Sequence, residues 1–105
     1  MRKMYCPGLT DFMVVFFNFT DINAKEDEIR KIMHGFQKRT KIIQADHMTQ
    51  LERLYEELLE ASEDFKHLII HTYIPDIKKY QKSHEVFVDK YNLIKGFIRF
   101  INRNY

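Results

Sequence analysis

The sequence predicts a small all-α protein, an antiparallel helical bundle, on three observations. Apolar residues recur at three- and four-residue spacing over most of the chain, the period of one helix face. Only three Gly and two Pro occur in 105 residues, too few for the many tight turns of an all-β fold. Hydrophobic residues make up 45% of the chain and charged residues 30%, a balance that supports a packed core over disorder. The length fits one domain, residues 1–105, and a core that needs no covalent staple. The expected elements are three long helices at about 24–44, 49–73 and 77–103, with an N-terminal apolar segment, 9–20, as a short fourth helix.

Residues 1–8 read as a loose leader. The segment after it is the ambiguous one. Phe12-Met13-Val14-Val15-Phe16-Phe17 has the β-branched and aromatic composition of a strand. Leu9, Phe12, Phe16 and Phe19 nevertheless keep helical spacing, and Thr10-Asp11 can cap a helix. The alternative is an α+β fold with 11–19 and 68–74 as strands. The helix is preferred because the chain offers only that one other run to pair with, and an isolated strand pair is marginal in water.

The helix at 24–44 has a marked start. Asn23 is a good N-cap, Glu26 three residues on makes a capping-box variant, and Glu26-Asp27-Glu28 suits the positive end of the helix dipole. Ile29, Ile32, Met33, Phe36 and Ile43 form its apolar stripe. Gly35 in mid-helix is expected to admit a close neighbour. For the second helix, Asp46 or Thr49 can serve as cap, the latter in a capping box with Glu52. Leu51, Leu54, Leu58, Ala61, Phe65 and Leu68 keep the 3-4 spacing, and Tyr55, Leu59, Ile69, Ile70 and Tyr73 widen the apolar face. A face this broad belongs to a central helix with two neighbours. Pro75 ends it. Asp76 caps the last helix, whose seam is the most regular: Ile77, Tyr80, His84, Phe87, Tyr91, Ile94, Ile98, Ile101 and Tyr105.

The formal charge of +2 names no partner, but its distribution is uneven. Residues 24–45 sum to +3, residues 46–75 to −5 and residues 76–105 to +4. An acidic segment therefore lies between two basic ones, and attraction between them is expected. The single Cys6 can form no internal disulfide, and no apolar run reaches the length of a membrane span. The expectation is a soluble, cytoplasmic protein with no membrane association.

No nucleophile elbow and no glycine-rich phosphate loop is present, since the glycines are Gly8, Gly35 and Gly96 alone. Neither catalysis nor a cofactor is expected. Four kinds of site are worth placing. The favoured one is a protein-binding surface built from Phe97, Phe100, Phe12 and Phe16, which lie off or beyond the seams, with a homodimer as one form of it. The alternative is a nucleic-acid surface from Lys78, Lys82, Lys95, Arg99 and Arg103 on the last helix, where basic residues interleave with aromatics. A third is a metal site at Glu63, His67 and His71, where two imidazoles stand at i,i+4. The helical wheel turns those three toward water, so a solvated acidic face explains them better. Finally, His84 on the last seam is expected as a core or rim histidine. If buried neutral, it would lose its stabilising effect as pH falls through about 6.5.

Overall fold

The computed structural model describes residues 9–39, 41–71 and 76–105. Among these residues the chain forms three helices, α1 (Leu9–Gln37), α2 (Ala45–His71) and α3 (Ile77–Asn104), and no strand. The α+β alternative is not supported. Positions 11–19 lie inside α1 and 68–71 inside α2, while 72–74 fall outside the described residues. Cys6, the 1–8 leader, Tyr73 and the helix stop at Pro75 also fall outside them.

The expected boundary at Asn23 does not exist. The apolar segment 9–20 and the first long helix are one element, α1. The physical reason lies in the spacing. Val15, Phe19, Ile22, Glu26, Ile29, Met33 and Phe36 form a single 3-4 series, and from Ile22 onward every member is buried. No Gly or Pro interrupts the chain from 9 to 34. Asn23 is exposed, so its side chain meets water instead of competing for the backbone. Glu26, expected as a capping carboxylate, is instead a seam residue, buried and 3.4 Å from Lys66 Nζ on α2. Both ends of the first connection also move. α1 stops at Gln37, well short of 44, and tightens through i→i−3 bonds from Lys38 N to Gly35 O and from Arg39 N to Phe36 O. Ile43 is buried, as its place in the stripe implied, but it reaches the core from the turn. α2 opens at Ala45, so Thr49 and Glu52 lie within the helix and form no cap. Asp46 sits in the first turn.

α3 follows the sequence closely. Asp76 accepts hydrogen bonds from Lys78 N (3.1 Å) and Lys79 N (3.3 Å), closing the N-terminus. Tyr80, Phe87, Ile94, Ile98 and Ile101 are buried at the expected positions. α2 runs antiparallel to α3, as shown by Tyr80 Oη donating to Leu68 O at one end and His47 packing on Phe100 at the other. α1 then lies parallel to α3, with Asp21 beside His84, Glu28 beside Tyr91 and Arg39 beside Tyr105. Side chains of all three helices meet in one core, around Ile22, Ile29, Leu51, Leu58, Phe65, Phe87, Ile94 and Ile101. One polar group sits inside it. Ser62 is 0% exposed and its Oγ has no hydrogen-bond partner. Gly35 and Gly96 serve no close approach, because a Cβ at either would meet nothing within 4 Å.

Two substitutions check this architecture. Asn23→Ala should leave stability unchanged or raise it by a few tenths of a kcal/mol, as Ala outranks Asn in a helix interior. A loss of about 1 kcal/mol in urea unfolding would instead reveal an N-cap and break α1 in two. Ser62→Ala removes an unpaired buried hydroxyl and should raise stability by about 1 kcal/mol, or roughly 4–8 °C in melting temperature. A lower melting temperature would mean that the hydroxyl has a partner.

Candidate interaction site

The register between α1 and α3 decides which apolar residues remain uncovered. Asp21 pairs with His84 and Glu28 with Tyr91, each 63 positions apart. On that offset Phe12 is level with a point two residues ahead of Ile77, where α3 begins. Phe12 keeps the seam spacing with Val15 and Phe19, yet it is 63% exposed, lying beyond the first turn of α3. Met13, Phe16 and Phe17 lie off the seam on the same turns and are exposed too, the two Phe at 54% and 58%. The rings of Phe16 and Phe17 pack on each other, 6.0 Å apart. From 12 to 20 the sequence carries no charge. The first turns of α1 therefore carry an apolar patch that is free of charge from Phe12 to Thr20 and preceded by Asp11.

Phe97 and Phe100 belong to the other end of the bundle. Along the axis they stand about 27 Å and about 32 Å from Phe16, taking 1.5 Å per residue. The four expected partner-binding residues thus do not form one surface. Phe97 packs against the core and is half-buried. Phe100 stacks on it at 5.5 Å, and the His47 ring stands edge-on to Phe97, Phe100 and Tyr105. The Tyr105 hydroxyl lies 2.6 Å from His47 Nδ1 and accepts from Gln44 N–H at 3.2 Å. These contacts fasten the start of α2 to the end of α3. His47 escaped the sequence reading because it lies just past the turn, off every apolar stripe considered. The Tyr105 seam position was its only clue.

The basic residues of α3 are also divided. Lys78, Lys82, Glu85, Asp89, Asn92, Gly96, Arg99 and Arg103 are all exposed and follow one another at 3-4 spacing on the outer face. Two carboxylates therefore interrupt the stripe. Lys95 lies on the flank, donating to Glu28 Oε2 at 2.6 Å. Glu63, His67 and His71 are exposed on α2. The two imidazole rings are 4.2 Å apart, but among the described residues no three His, Cys, Asp or Glu side chains come together as a metal site would need.

His84 is half-buried, not enclosed by apolar neighbours, and its Nε2–H donates to Asp21 Oδ2 at 2.7 Å. The seam position puts it at the rim of the core, against a carboxylate. Asp21 also accepts from Lys25 Nζ. Desolvation is the largest single influence on Asp21 and raises its pKa. Hydrogen bonds and charges from Lys25 and His84 together outweigh it and hold the carboxyl below its ordinary value. Next along the strip, Lys95 and Tyr91 both donate to Glu28 and lower its pKa. Tyr91 is pushed up to about 12 by desolvation, then by its bond to Glu28 and that group's charge. Lys25 Nζ sits 5.2 Å from the Tyr91 ring centroid and links the two clusters.

No protein-family model, curated protein or solved structure matches this chain. Among the described residues no helix is long and apolar enough to cross a membrane.

The polar strip predicts a pH profile with two limbs. Asp21 and Glu28 are depressed on folding, so their contribution is complete above the unfolded values, about 4, and is lost as pH falls through the folded ones. Tyr91 is raised, so its contribution is complete below about pH 10 and is lost as pH rises toward about 12. In urea melts across pH, Asp21→Asn should flatten the acid limb and Tyr91→Phe the alkaline one. An alkaline limb that is the same in Tyr91→Phe as in the wild type would remove Tyr91 from the account.

Proposed function

We propose that this is a small non-enzymatic binding protein of the cytoplasm, of the adaptor, regulator or inhibitor type, acting through protein–protein contacts made by the apolar tip of α1. The support is a single observation, the exposure of Phe12, Met13, Phe16 and Phe17 on a stretch of α1, residues 12–20, that carries no charge. Burying one Phe fully is worth about 1.5–3 kcal/mol. Three left more than half exposed are a cost to the free chain and a source of affinity for a partner that covers them. Phe97 and Phe100 contribute less, since Phe97 already packs on the core and both rings help to hold His47. A homodimer is the simplest form of the same idea, because residues 12–20 carry no charge that would repel their own copy.

A nucleic-acid-binding regulator is the second reading, and it has less behind it. Lys78 and Lys82 are separated from Arg99 and Arg103 by Glu85 and Asp89 on the same exposed face, so a phosphate backbone following α3 would pass two carboxylates.

The test is affinity capture with the whole chain from its native host, beside light scattering of the purified protein. The double variant Phe12→Asp/Phe16→Asp should melt at or slightly above the wild-type temperature while losing the captured partner or the dimer mass. A monomeric wild type that captures nothing specific would overturn the proposal. So would a double variant that still binds.

A further inference from the structure

The side of the bundle away from α2 carries a second feature, independent of the α1 tip. Between α1 and α3, near the end where Arg39 meets Tyr105, lies a groove of about 550 Å³. Its floor is apolar, made by Ile32 and Phe36 of α1 and Ile98 of α3, and Gly35 leaves that floor uncovered. Its rim is cationic: Arg39, Lys95 and Arg99 line it, and among the described residues no acidic one does. We propose that this groove binds a single-chain amphiphile with an oxyanion head group, the alkyl chain on the floor and the carboxylate or phosphate on the two arginines.

Size and charge both favour that occupant. From Ile32 to Arg39 the groove runs seven residues, about 10 Å along the axis. That length offers a docked protein helix less than two turns, far less than the roughly 20–30 residues a side of a stable protein interface. The volume instead falls within the roughly 300–1,000 Å³ of small-ligand sites. Of the three cations, Lys95 is already met by Glu28 at 2.6 Å. Arg39 stacks on Phe36, 5.6 Å from the ring centroid, and gives one long bond to Tyr105 O. Arg99 has no hydrogen-bond or ion-pair partner among the described residues. Each guanidinium carries five N–H donors in a planar fork that suits a carboxylate or phosphate. An alkyl chain alone would gain only from the floor, and a head group alone only from the rim, so the site selects a molecule that has both.

Gly35 gives a clean test, since it lines the groove and a Cβ added there meets nothing within 4 Å. The probes are decanoate and decyl phosphate below their micelle concentrations, with decanol and acetate as controls, titrated into the whole chain by calorimetry. Decanoate or decyl phosphate should bind saturably at one site, and whichever binds more tightly identifies the head group. Decanol and acetate should each bind about tenfold more weakly or not at all. Gly35→Leu should abolish binding while keeping the wild-type melting temperature or raising it. Arg39→Gln/Arg99→Gln should weaken the charged probes by about tenfold or more and leave decanol unchanged. The proposal fails if neither charged probe binds, or if a probe binds Gly35→Leu as tightly as the wild type. It also fails if binding is lost in Phe12→Asp/Phe16→Asp but kept in Gly35→Leu, which would place the amphiphile on the α1 tip.

Discussion

Asp21 meets His84 and Glu28 meets Tyr91 at the same offset, so α1 has one place along α3. An apolar 3-4 seam does not fix that place by itself, because sliding one helix by seven residues restores the same pattern of knobs and holes. The polar strip breaks the degeneracy. A slipped α1 would leave the Asp21 and Glu28 carboxylates without His84, Tyr91 and Lys95, and half-buried charges without partners are costly. The groups are partly exposed, so each pair adds little to stability and their effect is mainly on register. From that register follow the depth of the core, the uncovered tip at Phe12 and the groove lined by Arg39 and Arg99.

Two residues inside the bundle do not obey the apolar pattern. Glu26 occupies a seam position between Ile22 and Ile29 and relies on a Lys66 ammonium 3.4 Å away. Ser62 occupies one between Leu58 and Phe65 with no partner at all. α2 leaves a gap in its apolar face where Ser62 sits, and α1 leaves one at Glu26. Only the gap at Glu26 hides a stripe from the sequence, because Ala61 keeps that of α2 continuous from Leu58 to Phe65. In α2 Met48, Leu51, Leu58, Ala61, Ser62 and Phe65 are buried, and Leu54 and Leu68 pack half-buried against the same core.

The general class was legible because period, composition and scarcity of Gly and Pro all point the same way. α3 was legible in detail, since Asp76 caps it in an ordinary manner and its seam is apolar at nearly every turn. Asn23 and Thr49 misled for one shared reason. A capping residue is recognised by its type, but it caps only if the helix begins there, and an exposed Asn or Thr is tolerated in mid-helix when the apolar series runs through it. The candidate sites were legible only as residue types. Phe12 and Phe16 are distinguished from Phe97 and Phe100 by the register of α1 on α3, a long-range property with no local sequence sign. The groove needs two helices to exist, and its Gly35 invited the opposite expectation, a close neighbour.

Charge shows the same limit from another side. Segment sums of −5 for residues 46–75 and +4 for residues 76–105 invite the idea that α2 and α3 adhere electrostatically. Their shared interface is instead apolar, with Leu51, Leu58 and Phe65 against Phe87, Ile94 and Ile98. One ion pair crosses between them among the described residues, Glu57 with Lys90 at 3.3 Å, and both partners are well hydrated. Such a pair contributes about 0–1 kcal/mol. Side-chain direction, not segment charge, decides what meets what. Glu52, Glu56, Glu60, Glu63 and Asp64 point outward from α2, while the cations of the groove lie between α1 and α3 on the far side. The bundle is therefore polarised across its width. For the anionic amphiphile proposed above, the field of the acidic face would disfavour approach along α2 and favour approach between the other two helices.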